Sequence, residues 1–368
     1  MIPVPPAVQR IPWKLIALLS AITGFGLLVL YSAAGGSMTP WALQQGVRFI
    51  VFLLVALAIG RMPIRIFEDF SYLGYLGVAL LLLAVEALGF VGGGSQRWLN
   101  LGFMNLQPSE LMKVAIVLAL ARFYAQLPPG STRTFNALWP ALVMIGIPAA
   151  LVMLQPDLGT ALAICASAAI VMFVSGLPLW WFGSAALAGL AALPILFSML
   201  HDYQQKRVLI FLDPESDPLG AGYHISQSKI AIGSGGMFGK GFLNGSQSHL
   251  DYLPEGHTDF IFATMSEEWG LVGGLLLLLG FFFLLRWSTR VALNARTRFG
   301  QLTATGLTMT IFFYIAINLG MVMGLAPVVG IPLPLFSYGG SSMLTIMTCI
   351  GIILAIENDS KKRHSRLS

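Results

Sequence analysis

The most informative absence in this sequence is charge. Only 10% of the 368 residues are Asp, Glu, Lys or Arg, whereas 56% are hydrophobic. A soluble globular chain carries about 25% charged residues, so this chain lacks the polar surface that water requires. The composition excludes an ordinary soluble domain and indicates an integral membrane protein.

Cysteines, nucleotide-binding loops and repeats are also scarce or absent. Cys165 and Cys349 lie in separate apolar runs, so we expect buried thiols without a disulfide or a metal site. The glycine-rich stretch 233–245 fails the P-loop pattern, because Gly241 and not Ser or Thr follows Lys240. No repeat of 20–50 residues is visible, which argues against a solenoid and weakens the case for an inverted-repeat transporter.

Long apolar runs are what the sequence has in place of charge. A membrane-spanning helix needs roughly 20 apolar residues, and the first run, from about Leu15, is interpreted as a span and not as a cleaved signal. Ten candidate spans centre on 14–31, 46–60, 73–91, 109–125, 137–153, 158–176, 181–200, 264–286, 301–324 and 339–357. We therefore predict an all-α bundle of about ten transmembrane helices, forming one polytopic domain over residues 1–368.

The basic residues predict the orientation of this bundle. With ten spans and an internal N-terminus, fourteen of the twenty-one Lys and Arg residues fall at the inner ends of the spans. The positive-inside rule then places both termini in the cytoplasm. The net charge of +5 is thus a signature of topology and does not indicate nucleic-acid binding. The basic tail Lys361–Arg366 is in addition a contact for anionic membrane lipids.

One long polar stretch, residues 201–262, interrupts the apolar runs between the seventh and eighth spans. It holds four of the five histidines and seven acidic residues, and the predicted orientation makes it an extracytoplasmic loop. We expect short helices at Gln204–Leu212 and Tyr223–Ile232, with irregular structure in the glycine-rich part. Chemistry is expected to be concentrated in this loop.

The end of this stretch carries the strongest candidate for a reactive group. Asp259 lies where Glu255-Gly-His257-Thr-Asp259 runs into Phe260-Ile-Phe. Apolar surroundings raise the pKa of a carboxyl group above its ordinary value of about 3.9, which suits a general base. His257 is the rival base, and a purely structural loop is the alternative to both. Glu267 and Glu268 open the eighth span, where acids favour the helix dipole.

Further ionisable groups lie at or within the membrane, where such groups are costly and are candidates for function. Glu110 and Lys113 are three residues apart on one helical face, and form either a polar cavity wall or an internal ion pair. Arg97 suits phosphate oxygens, but an interfacial anchor beside Trp98 is the alternative. Asp157 is either a site residue or a helix cap.

Four motifs resemble those of the SEDS family (shape, elongation, division, sporulation). They appear in order along essentially the whole chain, and residues 211–225 look RodA-like, the elongation branch. The motifs are Gln107-Pro-Ser-Glu-Leu-Met-Lys113, Gln155-Pro-Asp-Leu-Gly-Thr160, Asp251-Tyr-Leu-Pro-Glu-Gly-His-Thr-Asp259-Phe-Ile-Phe-Ala263 and Pro332-Leu-Pro-Leu-Phe-Ser-Tyr-Gly-Gly-Ser341.

This resemblance implies a ten-span peptidoglycan glycosyltransferase that polymerises lipid II on the outer face of the cytoplasmic membrane. The essential aspartate of the family corresponds to Asp259. The implied partner is a class B penicillin-binding protein, a transpeptidase, within the elongation machinery that maintains rod shape. The alternative function is a lipid II flippase, but a flippase needs a path across the midplane, and the charges concentrate on the outer half.

The chemistry implied by the family then suggests roles for the candidates. Converting an α-linked donor into a β-1,4 linkage inverts the anomeric carbon, so we expect Asp259 to act as the base on the acceptor hydroxyl. Arg97, Lys113 and Lys229 are candidates to hold the leaving diphosphate. A divalent cation, Mg²⁺ or Mn²⁺, is an alternative for that task. If Lys113 pairs with Glu110, it orients groups and does not bind substrate.

Overall fold

Ten long helices dominate the structure. It is a computed structural model that describes residues 12–92, 95–100, 102, 105–128, 130–199, 205, 209–210, 213, 221–249, 252–253 and 255–364. The long helices are α1 (Trp13–Ala33), α2 (Trp41–Ile59), α4 (Ser71–Leu88), α5 (Pro108–Gln126), α6 (Phe135–Leu154), α7 (Leu158–Val174), α8 (Leu179–Met199), α11 (Ile261–Leu293), α12 (Arg298–Val322) and α13 (Gly340–His364). Three shorter α-helices also occur in the described residues: α3 (Ile64–Asp69), α9 (Ala221–Ser234) and α10 (Ser246–His249).

Each of the ten predicted spans corresponds to one long helix. Six of these helices are long and apolar enough to cross a membrane, and α4, α7 and α8 contain shorter apolar segments. The tenth, α5, carries Glu110, Lys113 and Arg122 within an otherwise apolar sequence. The prediction of an all-α membrane protein is confirmed.

Helix α5 lies at the centre of the bundle. Most of its residues are buried, including Lys113 and Tyr124, which are fully enclosed. On the neighbouring helix α12, Gly306 faces Val117 of α5 so closely that a Cβ there would overlap the valine. Small residues of this kind let membrane helices approach one another. Large side chains such as Leu187 and Leu275 remain exposed on the outside of the bundle, as expected for surfaces that face lipid.

A small antiparallel sheet lies between α4 and α5. Its strands are β1 (Phe90–Gly92), β2 (Ser95–Asn100) and β3 (Asn105–Leu106), with β2 in the centre. The register pairs Phe90 with Trp98 and Leu99 with Leu106. The third predicted span extended to residue 91, but α4 ends at Leu88, because extended backbone at Gly89 leads into the sheet. The sheet is the element that carries Arg97.

The polar stretch 201–262 is partly folded onto the bundle. The helix predicted at Tyr223–Ile232 is present as α9, while most of the predicted helix Gln204–Leu212 lies outside the described residues. Ser228 of α9 is fully buried and donates to the backbone oxygen of Val322 at 2.7 Å. This contact fastens α9 to the end of α12.

The two ends of the bundle differ in their elements. We call the end with the β-sheet and residues 255–260 the outer end, and the opposite end, where α1 begins and α13 finishes, the inner end. At the inner end, Asn358 of α13 donates to the backbone oxygen of Gly60 at 2.9 Å, next to the end of α2.

Candidate functional site

A cavity of about 390 Å³ opens at the outer end of the bundle. It lies where β2, the beginnings of α5 and α7, the 255–260 turn and the segment between α12 and α13 converge. Among the sequence-predicted residues, the structure brings four to its walls, together with further polar groups. The lining residues are Arg97, Trp98, Gln107, Glu110, Asp157, Thr160, Glu255, Thr258, Asp259, Val329, Gly330, Pro332, Tyr338, Gly339, Gly340, Ser341 and Ser342.

Arg97 and Asp157 form one wall of the cavity. The Arg97 guanidinium donates to the backbone oxygens of Gln155 and Pro156, at 3.1 and 2.6 Å, and lies 3.6 Å from the Asp157 carboxylate. Asp157 also caps α7, since it accepts from the Thr160 amide at 3.1 Å and from its hydroxyl at 2.9 Å. Asp157 is therefore both the predicted helix cap and a cavity residue, and Arg97 is held by protein groups instead of standing as a simple interfacial anchor.

Glu110 and Lys113 form the predicted ion pair at the base of the cavity. The Lys113 ammonium donates to the Glu110 carboxylate and to the Tyr314 hydroxyl, both at 2.7 Å. Tyr314 in turn donates to the other Glu110 oxygen, which closes a buried triangle between α5 and α12. Glu110 lines the cavity, whereas Lys113 is fully buried behind it. Glu110 is thus part of a polar cavity wall, as one interpretation predicted, and Lys113 belongs to an internal ion pair, as the other predicted.

Asp259 is half-buried and lines the cavity, with its carboxylate next to Gly330. A Cβ added to Gly330 would lie 3.4 Å from its Oδ2 atom, so glycine at this position leaves space beside the carboxylate. The buried Asn318 side chain donates to the backbone oxygens of Asp259 and Ile331, both at 2.8 Å. Asn318 therefore fixes the turn that carries Asp259 against the segment that carries Gly330.

His257, the rival base, lies next to the cavity and has a packing role. Its ring stacks on Trp41 with centroids 4.0 Å apart, and its backbone oxygen accepts from the Tyr338 amide at 3.0 Å. Burial lowers the pKa of the His257 imidazole below its ordinary value of 6.5, which the nearby Glu255 carboxylate partly opposes. A neutral ring is therefore favoured near neutral pH.

Lys229 lies away from these groups. Its exposed side chain packs over Gly324 at the end of α12 and does not line the cavity. The sequence grouped it with Arg97 and Lys113 by charge alone, but α9 places it against a different part of the outer end.

Sequence reasoning missed two residues of α2 that contact the cavity-lining segment between α12 and α13. Gln45 donates to the backbone oxygen of Ser337 at 2.5 Å and accepts from the Gly339 amide at 3.3 Å. The guanidinium of Arg48 lies 4.7 Å above the Tyr338 ring, which lines the cavity. The signal was present, because Gln and Arg within an apolar span are expensive and indicate a specific partner.

A second missed feature is the way the glycine-rich loop interrupts α11. Gly270 has φ +60° and ψ −158°, so the helix breaks there. The amides of Leu271 and Val272 donate to the oxygens of Gly236 and Met237, at 2.9 and 3.1 Å. These two amides would otherwise bond the oxygens of Glu267 and Glu268 within the helix.

The same loop also donates hydrogen bonds to the backbone carbonyl groups that lose their helical partners at the break. The amides of Lys240 and Gly241 donate to the oxygens of Glu267 and Glu268, at 2.9 and 3.1 Å. A Cβ at Gly239 would overlap the Glu268 carbonyl, so the loop fits only with glycine there. The loop thus replaces two helical hydrogen bonds, and its density of glycine was the available sequence signal.

The Glu267 carboxylate, fully buried, anchors this loop. It accepts from the Lys240 ammonium at 2.6 Å, the Ser246 hydroxyl at 3.0 Å and the Gln247 amide at 3.0 Å. The sequence assigned Glu267 only a favourable position in the helix dipole. The structure gives it a specific partner set, eight residues after Asp259 on the segment that continues from the catalytic candidate.

The site offers few free ligands for a metal ion. No cluster of three or more His, Cys, Asp or Glu side chains suited to a metal ion occurs in that part of the chain. Two cavity carboxylates, Glu110 and Asp157, already bind Lys113 and Arg97. A divalent ion at this site would therefore need a substrate to supply several of its oxygen ligands.

The chemistry available in the cavity follows from this geometry. A half-buried carboxylate can accept a proton from a bound hydroxyl group. An arginine that lines the same cavity can stabilise negative charge on a departing phosphate. The paired groups beneath them fix the shape of the site without adding net charge.

Comparison with known sequences identifies relatives along nearly the full length of the chain. The sequence profile of the FtsW/RodA/SpoVE cell cycle proteins matches residues 12–362. Peptidoglycan glycosyltransferase MrdB of Escherichia coli K12 is 45% identical over 350 residues, covering 94% of this chain and 93% of that protein. Peptidoglycan glycosyltransferase RodA of Treponema pallidum is 31% identical over 427 residues, covering 95% and 98%.

Comparison with solved structures agrees with these sequence relatives. A chain from the work described as "Structural coordination of polymerization and crosslinking by a peptidoglycan synthase complex" aligns with a TM-score of 0.80 and 33% identity, covering 95% of this chain and 98% of that one. Rod shape determining protein RodA of Thermus thermophilus aligns with a TM-score of 0.71 and 31% identity, covering 94% and 96%. With the profile match, the ten-helix bundle and the ordered motifs, this chain belongs to the FtsW/RodA/SpoVE family of cell cycle proteins.

Proposed function

We propose that this chain is a peptidoglycan glycosyltransferase that polymerises lipid II into β-1,4-linked glycan strands during elongation and rod-shape maintenance. The observation that carries the proposal is the outer-end cavity, in which the Asp259 carboxylate and the Arg97 guanidinium line one space of about 390 Å³. Relatives that carry the name peptidoglycan glycosyltransferase and cover nearly the whole chain support it.

Asp259 acts as the general base of this reaction. The donor is a disaccharide α-linked to a polyprenyl diphosphate, and a β-1,4 product requires inversion at the anomeric carbon. The Asp259 carboxylate accepts the proton of the acceptor 4-hydroxyl as that oxygen bonds to the anomeric carbon, and the bond to the diphosphate breaks. Asn318 positions Asp259 by holding its backbone oxygen at 2.8 Å.

Arg97 is the cation best placed to bind the departing diphosphate. It lines the cavity, and its contacts with Gln155 and Pro156 orient the guanidinium in advance of binding. Lys113 acts as an orienting residue through Glu110 and Tyr314, because it is sealed behind the wall. Lys229 lies outside the cavity lining, and a divalent cation, Mg²⁺ or Mn²⁺, bound through the diphosphate would add positive charge there.

The cellular setting follows from the same proposal. The chain lies in the cytoplasmic membrane with both termini in the cytoplasm, so that the outer end, including the loop 201–262, is extracytoplasmic. Its partner is a class B penicillin-binding protein of the elongation machinery. A relative structure described as a peptidoglycan synthase complex that coordinates polymerization and crosslinking supports this partner class.

A reconstitution experiment distinguishes this enzyme from a lipid II flippase. Purified chain is placed in vesicles with labelled lipid II, with and without the transpeptidase partner, and both glycan length and lipid crossing are measured. Glycan strands that appear with the wild-type chain support the proposal. Labelled lipid that crosses the bilayer without any joining of sugars, even with the partner present, would overturn it in favour of transport.

A further inference from the structure

The inner end of the bundle contains a second cavity, of about 760 Å³, that the proposed reaction does not use. Its walls come from three distant parts of the chain: the beginning of α1, the last turns of α11 and the last turns of α13. Four cations line it, namely Lys14, Arg286, Arg290 and Lys361, against the single carboxylate of Glu357. The cavity therefore has a strongly positive lining.

The Glu357 carboxylate is already hydrogen-bonded to two side chains that line the same cavity. Glu357 accepts from the Lys361 ammonium at 2.6 Å and from the Trp287 indole at 3.2 Å. Within the described part of the chain, the side chains of Lys14, Arg286 and Arg290 have no carboxylate partner. Three exposed cations therefore line one cavity without a carboxylate partner of their own among the described residues. Their combined positive potential favours binding of an anion from outside the protein.

An apolar stripe leads from this cavity along the lipid-facing side of α11. Leu276, Leu279 and Phe283 are 59%, 48% and 48% exposed, and the helical spacing places them in line with Arg286 and Arg290. A free phosphate would use only the cations. A phospholipid would use both features, with its headgroup at the arginines and an acyl chain along the stripe.

We propose that this inner-end cavity binds the headgroup of an anionic glycerophospholipid. Basic pockets between membrane helices on the cytoplasmic side suit such headgroups, and the volume lies within the roughly 300–1,000 Å³ of small-molecule sites. Arg286 and Arg290, one helical turn apart, hold the phosphate, and Lys14 approaches from α1. The bound lipid joins the beginning of α1 to the ends of α11 and α13.

Binding of defined lipids to the purified full chain tests this site. Delipidated protein is titrated with phosphatidylglycerol or phosphatidylcholine, and bound lipid is counted by native mass spectrometry. The Arg286→Gln/Arg290→Gln variant is compared with Arg61→Gln/Arg65→Gln, which removes equal charge from the inner end outside the cavity. At about fivefold per cation, the cavity variant should bind phosphatidylglycerol roughly 25-fold more weakly, with the control near wild type.

Several results would overturn the proposal. The first is the same phosphatidylglycerol affinity in the cavity variant and the control variant. The second is binding of phosphatidylcholine by the wild type as strong as that of phosphatidylglycerol. The third is displacement of the lipid by glycerol 3-phosphate, which would indicate that the ligand is a soluble anion. If the double variant misfolds, Lys14→Gln serves instead, because its side chain is exposed, and a loss of about fivefold is expected. These readouts are independent of sugar transfer.

Discussion

The two ends of the bundle hold their charges in opposite ways. At the outer end, Glu110, Lys113 and Glu267 are buried, and each has a charged partner within 2.7 Å. At the inner end, Arg286 and Arg290 are exposed and lie over a cavity without a partner carboxylate in the described part of the chain. The outer end pairs its buried charges internally, whereas the inner end, apart from the Lys361–Glu357 pair, presents cations outward.

This difference follows from the surroundings of each group. A buried charge is tolerated in low dielectric only when it is paired and hydrogen-bonded, so the outer-end groups define a fixed shape. Cations at a helix end keep their charge in water while their stems lie along apolar surface, so they remain available to anions. Paired charges thus suit positioning of a reacting substrate, and unpaired ones suit recruitment of an anionic partner.

The largest effect on stability is expected from breaking the outer-end triangle. Lys113→Met leaves the Glu110 carboxylate buried without its cation, which should cost about 3–5 kcal/mol of unfolding free energy. Arg290→Met at the inner end is the matched control and should change it by no more than about 0.5 kcal/mol. Equilibrium unfolding in mixed micelles measures both variants.

The double variant Glu110→Gln/Lys113→Met sharpens this test. It removes both charges, so it should recover part of the stability that Lys113→Met loses. Equal losses for Lys113→Met and Arg290→Met would show that the two ends do not differ in the way described.

A smaller effect is expected where the glycine-rich loop crosses the break in α11. Gly239→Ala brings a Cβ onto the Glu268 carbonyl, whereas Gly236→Ala places one in open space, and both positions have positive φ. The Gly239 variant should therefore lose about 1–3 kcal/mol more unfolding free energy than the Gly236 variant. The same micelle assay applies, and indistinguishable variants would exclude a tight fit of the loop at this point.

The smallest effect concerns pH and His257. Its pKa in the folded protein lies below the ordinary 6.5, so the unfolded chain takes up the proton first as pH falls. The unfolding free energy is therefore unaffected by protonation of His257 above pH 6.5. It should decrease as the pH falls through 6.5 towards the lower pKa that His257 has in the folded protein. His257→Phe keeps an aromatic ring against Trp41 and should flatten that part of the stability profile. An unchanged slope would assign the pH dependence to other groups.

The helices could be predicted because apolar runs near the length of a bilayer crossing indicate spans, and six of the ten helices meet that length outright. Glu110, Asp157 and Asp259 lie in motifs whose order matches a known family, whereas Arg97 was proposed for its charge at the membrane boundary. The structure places all four on one cavity. The break at Gly270 could not be predicted in this way. It depends on a loop some thirty residues upstream that supplies the missing hydrogen bonds, and apolar periodicity carries no information about such pairing.

Lys229 and Arg48 show that a sequence pattern does not reveal which distant residues meet in the fold. Lys229 was included among the site candidates, and Arg48 was left out. Charge alone brought Lys229 into the candidate set, although α9 places it over Gly324 and outside the cavity lining. Arg48 was not among the candidates, although its guanidinium packs on the Tyr338 ring beside the cavity. Tertiary placement, which a single sequence does not encode locally, decides both cases.

The most direct test of the central claim is sugar transfer by the Asp259→Asn variant. Wild type, Asp259→Asn and the outer-end control Glu86→Gln are supplied with lipid II and the transpeptidase partner, and glycan formation is measured alongside folding and partner binding. We predict that Asp259→Asn folds and binds the partner but loses at least about 100-fold in polymerisation rate, while Glu86→Gln retains it. A wild-type rate in a folded Asp259→Asn variant would contradict the assignment of the catalytic base.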